Sequence, residues 1–416
     1  MIEERETNDQ DTPSLRRVLG LPLITLYGIG TILGAGIYVL IGKVVAASGI
    51  YAPVSFLIAS LIVAFSAFSY AELSSRYPRS AGEAVYVMKA FGKDWLFTLV
   101  GLAVVLTGVI SSATIATGFV GYMELFLEVP EWLIILVLVL SLGAIAAVGV
   151  AESVVLAGII TLIEVAGIVL VISVAADGID FQAVKLDEFL PDLSAPVWLG
   201  ITTGAFLAFY AFIGFEDMVN MAEEVRDPSR VMPTSIIIAL LVTTFLYFAV
   251  AFTAVNALPL DVLAGSDAPF AEIIQRHSDI PVSLMGIISL VAIINGALIQ
   301  IIMGARVLYG MARQGRAPAM FALIHPWTRT PLQATAAVTL VVLILALWLP
   351  IVTLASMTSL VVLLIFTLIN LSLLRIKYLE NRVQTAVKSS INVTMVVPLI
   401  GALLCVGFVL LQLPWK

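Results

Sequence analysis

Charge is what this chain of 416 residues has least of: Asp, Glu, Lys and Arg together make up 12% of it, about half the share of an ordinary soluble domain. So few charges cannot cover a water-facing surface, and with 61% hydrophobic residues the apolar excess must face lipid. A soluble enzyme and a disordered chain are both excluded at this step. Nucleic acid is excluded as a partner, because a net charge of -7 leaves no positive field to attract a phosphate backbone. A single cysteine, Cys405, rules out an intrachain disulfide. Two scattered histidines, His277 and His325, are too few for a histidine-rich metal centre, so neither a metal nor a cofactor is expected. No HExxH motif and no Ser/His pair falls within an apolar run, which leaves a membrane-embedded enzyme without a base.

Long apolar runs are what the chain has instead. A bilayer core about 30 Å thick takes about 20 mostly apolar residues in a helix. Eleven such runs occur: Leu19–Ile41, Tyr51–Tyr70, Trp95–Tyr122, Trp132–Val150, Val154–Ala175, Val197–Met221, Ser235–Val255, Val282–Met311, Leu332–Leu349, Ile351–Leu374 and Val393–Leu413. They are continuously apolar with no period-two alternation, so the expected fold class is an all-α integral membrane protein of about eleven transmembrane helices, not a barrel. Placing the N-terminus inside puts 17 of the 21 Lys and Arg residues on the cytoplasmic side and only Lys43, Lys185, Arg276 and Lys416 outside. That bias sets the expected orientation in a cytoplasmic membrane. An odd span number then places the C-terminus outside, and the polar tail, residues 1–18, is expected to be cytoplasmic, flexible and uncleaved.

Spans are normally continuous, because an unpaired backbone group in hydrocarbon costs several kcal/mol. Two runs break that rule. The first reads YGIGTILGAGIYVLIG and the sixth GAFLAFYAFIGFEDMVNMAEEV, the latter with Glu216 and Asp217 directly after Gly214. Glycine-interrupted spans at matching places in two five-helix halves predict an inverted repeat, residues 19–176 and 197–374, with a peripheral helix at 393–413 and a binding site at the two breaks. The competing reading is close helix packing by small residues. Freed N–H groups at a half-helix start suit a carboxylate, and freed carbonyls at a half-helix end suit an ammonium, so the expected ligand is a small zwitterion. Ile32, Leu33, Gly34, Ala35, Gly36 and Ile37 are the candidate residues of the first break, and Phe209, Ala211, Phe212, Ile213 and Gly214 those of the second. The stripe Phe206, Phe209, Phe212 and Phe215 would wall or gate the pocket, although such stripes are more often core or lipid-facing.

The segments GIGTILGAGIYVLIG, FSYAELSSRYPRSAGEAVYVMKAFG, FYAFIGFEDMVNMAEEVRDPSRVMPTSI and GARVLYGMARQGRAPAMFALIHP resemble those of the amino acid–polyamine–organocation transporters, and among them the prokaryotic relatives of cationic amino acid permeases. The resemblance runs from about Leu19 to Leu374 and implies a LeuT-like ten-helix inverted-repeat core with helices 1 and 6 broken, alternating access and an amino acid substrate. Such transporters commonly have twelve spans, whereas eleven are expected here. The chain also carries Thr107 where cationic-substrate relatives often have a glutamate, which weakens the case for arginine or lysine and makes Thr107 a candidate substrate residue. In the fifth run Glu164 falls where some proton-coupled relatives carry a lysine.

Glu164 lies about ten residues into its span, about 15 Å deep at 1.5 Å per residue, near the midplane. An ionisable group there suits a proton relay; a permanently protonated structural carboxyl is the alternative. Sodium is the less favoured partner, because Val291–Met303 in the eighth run has no Ser or Thr to ligate it. Proton coupling is thus expected, with Glu164 as carrier and Asn295 as a polar neighbour. Glu216 either closes an inner gate by bonding a Tyr or Ser across the pathway or simply complements a half-helix dipole. Glu72–Asp94 reads as a cytoplasmic loop carrying an amphipathic helix, and Asp177–Pro196 and Pro259–Pro281 as solvated acidic outer loops. A channel is the rival function, disfavoured because no polar face lines a continuous pore. Oligomeric state is not set by the sequence.

Overall fold

In the computed structural model the described residues are 17–34, 36–79, 82–148, 154–179, 186–383 and 389–412. Ala35, Lys185, Lys388, Lys416 and the tail up to Arg16 lie outside them. Fifteen α-helices follow in order: α1 (Leu21–Leu33), α2 (Gly36–Ser48), α3 (Ala52–Arg76), α4 (Gly82–Phe91), α5 (Asp94–Met123), α6 (Glu131–Val148), α7 (Val154–Asp177), α8 (Ala195–Ala211), α9 (Pro228–Ala257), α10 (Leu260–Gly265), α11 (Pro269–His277), α12 (Val282–Arg313), α13 (Leu332–Trp348), α14 (Ile351–Val383) and α15 (Val396–Gln412). Proline in the first turn opens α3, α8, α9 and α11, where its missing N–H costs nothing.

Among the described residues, eight stretches are long and apolar enough to cross a membrane. One of them, Leu21–Arg76, takes in two of the predicted runs, while α13 and α15 are apolar but shorter, at 17 residues each. The described residues of each of the eleven predicted runs thus lie mostly on helix, although only eight stretches among them reach full membrane length. The three most extensive helix pairings are α5 with α12, α3 with α9 and α2 with α8, and α6 also packs on α13. Every one couples an element of the first five runs to the element five runs later.

Two loop expectations change. Glu72–Arg76 is the last turn of α3, so the loop begins only at Tyr77, and the predicted amphipathic helix is α4. The segment Pro259–Pro281 is not a plain solvated loop: it holds α10 and α11, and Leu263, Phe270, Ile273 and Ile274 are buried. Burying those apolar side chains against the bundle outweighs solvating the loop. Close backbone approach makes room for this cap, since a Cβ on Gly42 would lie 2.6 Å from the Leu263 carbonyl oxygen, and Lys43 pairs with Asp267 at 3.0 Å.

At the Arg- and Lys-rich end, α3 and α14 are joined by a buried ionic cluster. Arg76 donates to Glu72 (Nε to Oε1, 2.8 Å) and grips both Glu380 oxygens at 2.7 and 2.8 Å. Lys377 pairs with Glu72 at 2.8 Å, and the other Glu72 oxygen accepts from the Val393 amide. Ser75 accepts from the Ser390 amide and donates to the Ser229 carbonyl. The chain leading into α15 is therefore tied to α3, α9 and α14 at once.

Candidate functional site

The two broken runs meet at the centre of the bundle. α1 stops at Leu33 and α2 starts at Gly36. α8 stops at Ala211, and beyond Gly214 the chain continues not as α-helix but as the tighter 3-10 helix Phe215–Glu224, a form that marks hinges when it replaces α-helix in mid-span. Gly214 has φ 131°, a backbone state open in practice only to glycine. The breaks are fitted to each other by their glycines. A Cβ on Gly36 would lie 2.5 Å from the Ala211 Cα, and one on Gly214 would fall inside 3.0 Å of the Thr31 carbonyl oxygen.

Side chains tie the freed backbone groups together. Thr31 Oγ1 donates to the carbonyls of Gly28 and Gly214, each at 3.0 Å. The buried Tyr247 hydroxyl on α9 lies 2.8 Å from both the Ile32 and the Ala211 carbonyl oxygens and shares its proton between carbonyls in the last turns of the two half-helices. Its ring stacks edge-on against Phe212 at 4.9 Å. Tyr247→Phe leaves two buried carbonyls without this donor, at about 1–3 kcal/mol. The expected outcome is a lower melting temperature in detergent together with weaker ligand binding, checked by calorimetry and a thermal-shift titration.

Beside the breaks is a small chamber walled almost wholly by buried residues: Thr31, Ile32, Gly34, Gly36, Ile213 and Gly296, with Ser111, Ile115, Tyr210, Ile299 and Gln300 completing the wall. None of these carries a charge. The space is about 20 Å³, room for one water on the usual criterion, so admitting a solute requires the half-helices to part. Ser111 and Tyr210 close one wall with a 3.1 Å hydrogen bond between α5 and α8.

Of the residues singled out from the sequence, Ile32, Gly34, Gly36 and Ile213 line this chamber. Leu33, Ile37, Phe209, Ala211 and Phe212 are buried behind it, together with Phe206 and Phe215, so the Phe stripe is core and not lipid-facing. Ala35 lies outside the described residues. Thr107 and Glu216 line a second cavity nearer the basic end, with Glu83, Gly108, Asp217 and Gln300. Burial pushes the Glu83 carboxyl up to about 8, the neighbouring Asp217 carboxylate adding to the rise. Glu216 is turned back on its own chain, where its Oε2 accepts from the Gly214 amide at 2.8 Å. Asp217 reaches outward and accepts from Gln300 Nε2 at 2.8 Å.

Glu164 on α7 is fully buried and borders neither cavity. Asn295 Nδ2 on α12 donates to its Oε1 at 3.4 Å, and the Tyr38 hydroxyl on α2 donates to its backbone carbonyl at 2.6 Å. α7 also packs on α1, where Thr161 fills the space left by Gly30. Glu164 thus sits among α2, α7 and α12, one layer behind the first break. The reading of the sequence missed Tyr247, Tyr210, Ser111, Gln300 and Glu83. Gln300 was the most visible of these, as a lone long polar side chain five residues after Asn295 in an otherwise apolar run.

Helices that meet at two facing discontinuities define the class: a multi-pass helical membrane protein organised around paired broken helices. The family model described as amino acid permease matches residues 19–415. The chain belongs to that family, within the amino acid–polyamine–organocation superfamily, and so stands among permeases and not among enzymes. It is similar to cationic amino acid transporter 2, vacuolar, of Arabidopsis thaliana, with 32% identity over 88% of this chain and 60% of that protein. It is also similar to two Bacillus subtilis proteins, the methylthioribose transporter (31% identity, 95% of this chain, 88% of that one) and the branched-chain amino acid permease BcaP (28%, 97% and 89%). The chain spans 65% and 60% of the lengths of the Arabidopsis cationic amino acid transporters 3 and 2.

Proposed function

We propose that this chain is a secondary active amino acid transporter that works by alternating access in a cytoplasmic membrane and is coupled to protons. The observation that carries the reading is the pair of facing breaks, with half-helix ends and bridged carbonyls converging on an uncharged chamber. A zwitterion suits such ends, its carboxylate at the amides that open α2 and its ammonium at the carbonyls that end α1 and α8. Pairing of α2, α3, α5 and α6 with the elements five runs later, α8, α9, α12 and α13, supports a two-fold inverted core of ten helices plus α15, eleven spans in all. The basic end is the cytoplasmic one on the positive-inside rule, which sets the N-terminus inside and the C-terminus outside. Relatives named for cationic amino acids, branched-chain amino acids and a thio-sugar share this chain's family. The backbone-built part of the site is therefore the better guide to the zwitterionic class than any one wall residue is to its side chain.

Glu164 is the proposed proton carrier. An amide neighbour suits that role because Asn295 can donate through nitrogen to the ionised carboxylate or accept through oxygen from the protonated one. Proteoliposomes under an inward proton gradient without sodium test this. Wild type accumulates the amino acid and Glu164→Gln loses the dependence on the gradient while still exchanging labelled for unlabelled substrate. A sodium requirement, or an unchanged pH response in Glu164→Gln, would replace the proton or the carrier.

A further inference from the structure

Two small cavities lie one beyond the other on the way to the basic end, and Gln300 is in the wall of both. Above it is the uncharged chamber at the breaks. Below it the second space, also about 20 Å³, is lined by the carboxyls of Glu83, Glu216 and Asp217 beside Thr107. Gln300, the residue the two spaces share, donates from Nε2 to Asp217 Oδ2 of the second space at 2.8 Å, with both residues buried.

The two partners belong to elements of different character. Gln300 is in the unbroken α12, which packs along α5 more extensively than any other two helices pack together among the described residues. Asp217 is three residues past Gly214, on the 3-10 segment that follows the break. Their hydrogen bond therefore ties the discontinuous element to the continuous one just below the chamber. Gly108 on α5 leaves space for the carboxamide: a Cβ there would lie 3.1 Å from the Gln300 carbonyl oxygen and 3.4 Å from its Oε1. Glu216 does not serve this purpose in the present state, because its carboxylate is spent on the Gly214 amide within its own turn.

We propose that the Gln300–Asp217 hydrogen bond is the cytoplasmic latch of the chamber, and that Gln300 couples the chamber's occupant to that latch. The proposal rests on the transport reading above and names the contact that must open for release. A carboxamide suits the task because it donates through nitrogen to Asp217 while its oxygen remains an acceptor for an ammonium or hydroxyl arriving from the chamber. A bond to a charged acceptor is stronger than one between neutral groups, so its loss shifts the balance between closed and open floors measurably. Release then delivers an ammonium-bearing solute into a space lined by three carboxyl groups, with no Lys or Arg in its wall.

The test uses the full-length chain in inside-out membrane vesicles, with Cys405→Ser removing the native thiol and Ile299→Cys placing a reporter in the chamber wall. Labelling by an impermeant maleimide reads access from the cytoplasmic side. Gln300→Ala and Asp217→Ala should each raise the labelling rate by at least about tenfold, the population change that corresponds to about 1.4 kcal/mol. The double variant should go no further than either single one, because both remove the same contact. Asp217→Asn keeps an acceptor oxygen but loses the charge, so it should label between the parent and Asp217→Ala, which separates a latch from a general loosening of the fold. An amino acid that protects or exposes the reporter in the parent should have a much smaller effect in Gln300→Ala. Equal labelling in the parent and both alanine variants, or Asp217→Asn as open as Asp217→Ala, overturns the latch. Labelling needs no transported substrate, so failure to find one sinks the transport reading without deciding the latch.

Discussion

Gly214→Val abolishes uptake and lowers stability by about 3 kcal/mol or more, from two independent causes. The first is conformational: φ of 131° is a region a β-branched residue does not enter without strain. The second is steric, since the added Cβ would fall inside 3.0 Å of the Thr31 carbonyl oxygen. That carbonyl belongs to the last turn of α1, so relieving the clash means moving one half-helix away from the other and pulling Thr31 from the Gly214 carbonyl it bonds. Gly214→Ala suffers the same clash with less bulk and should retain part of the fold but little uptake. Melting in detergent and uptake into proteoliposomes check the two consequences separately. Gly92→Ala is a suitable control, because Gly92 also has positive φ (61°) but a Cβ there meets nothing within 4 Å, so only the modest conformational strain should appear.

Glu72→Gln is expected to cost about 3–5 kcal/mol of stability, the range found when one partner of a buried ion pair is removed. The Glu72 side chain is fully buried and faces two cations, Arg76 and Lys377, whose side chains are 3% and 8% exposed. With Glu380 the four charges balance; without Glu72 one buried positive charge is in excess. Glutamine preserves the volume and still accepts a hydrogen bond, so the measured loss reports the charge and not a cavity. A second change, Lys377→Met, restores neutrality and should recover a good part of the loss, since replacing a whole buried pair by apolar residues is often neutral. Thermal or chemical denaturation of the single and double variants in detergent gives the coupling. Additive losses would show that the two residues do not share one cluster.

How far the sequence could be read depended on whether a signal was local. The breaks at Leu33–Gly36 and Gly214 were legible because glycines interrupt otherwise apolar helices there, and Gly36 and Gly214 prove to be where one broken run closely approaches the other. Glu164 and Asn295 were legible as rare polar groups at depth, and they lie within 3.4 Å of each other. The partners of the freed carbonyls were not legible. Tyr247 lies in an ordinary apolar run, and only the rotational setting of α9 against α1 and α8 turns its hydroxyl onto Ile32 and Ala211. The same holds for Gln300, whose meaning depends on Asp217 lying across from it on a 3-10 turn that no period in the sequence announces. Glu216 and Asp217 show the limit sharply: neighbours in sequence and equal in charge, one caps its own turn while the other reaches another helix. The outer segment with α10 and α11 was misread for a similar reason, because its short apolar stretches find burial only against the assembled bundle.

The most direct test of the central claim is counterflow in proteoliposomes: vesicles loaded with an unlabelled amino acid are diluted into a trace of the same amino acid carrying a radiolabel. If the breaks form an amino acid site exposed alternately to the two sides, at least one of the twenty amino acids gives a transient overshoot, saturable and absent in Gly214→Val. No overshoot with any of them from protein that is folded and inserted, or a flux that rises linearly without saturation, would contradict the account.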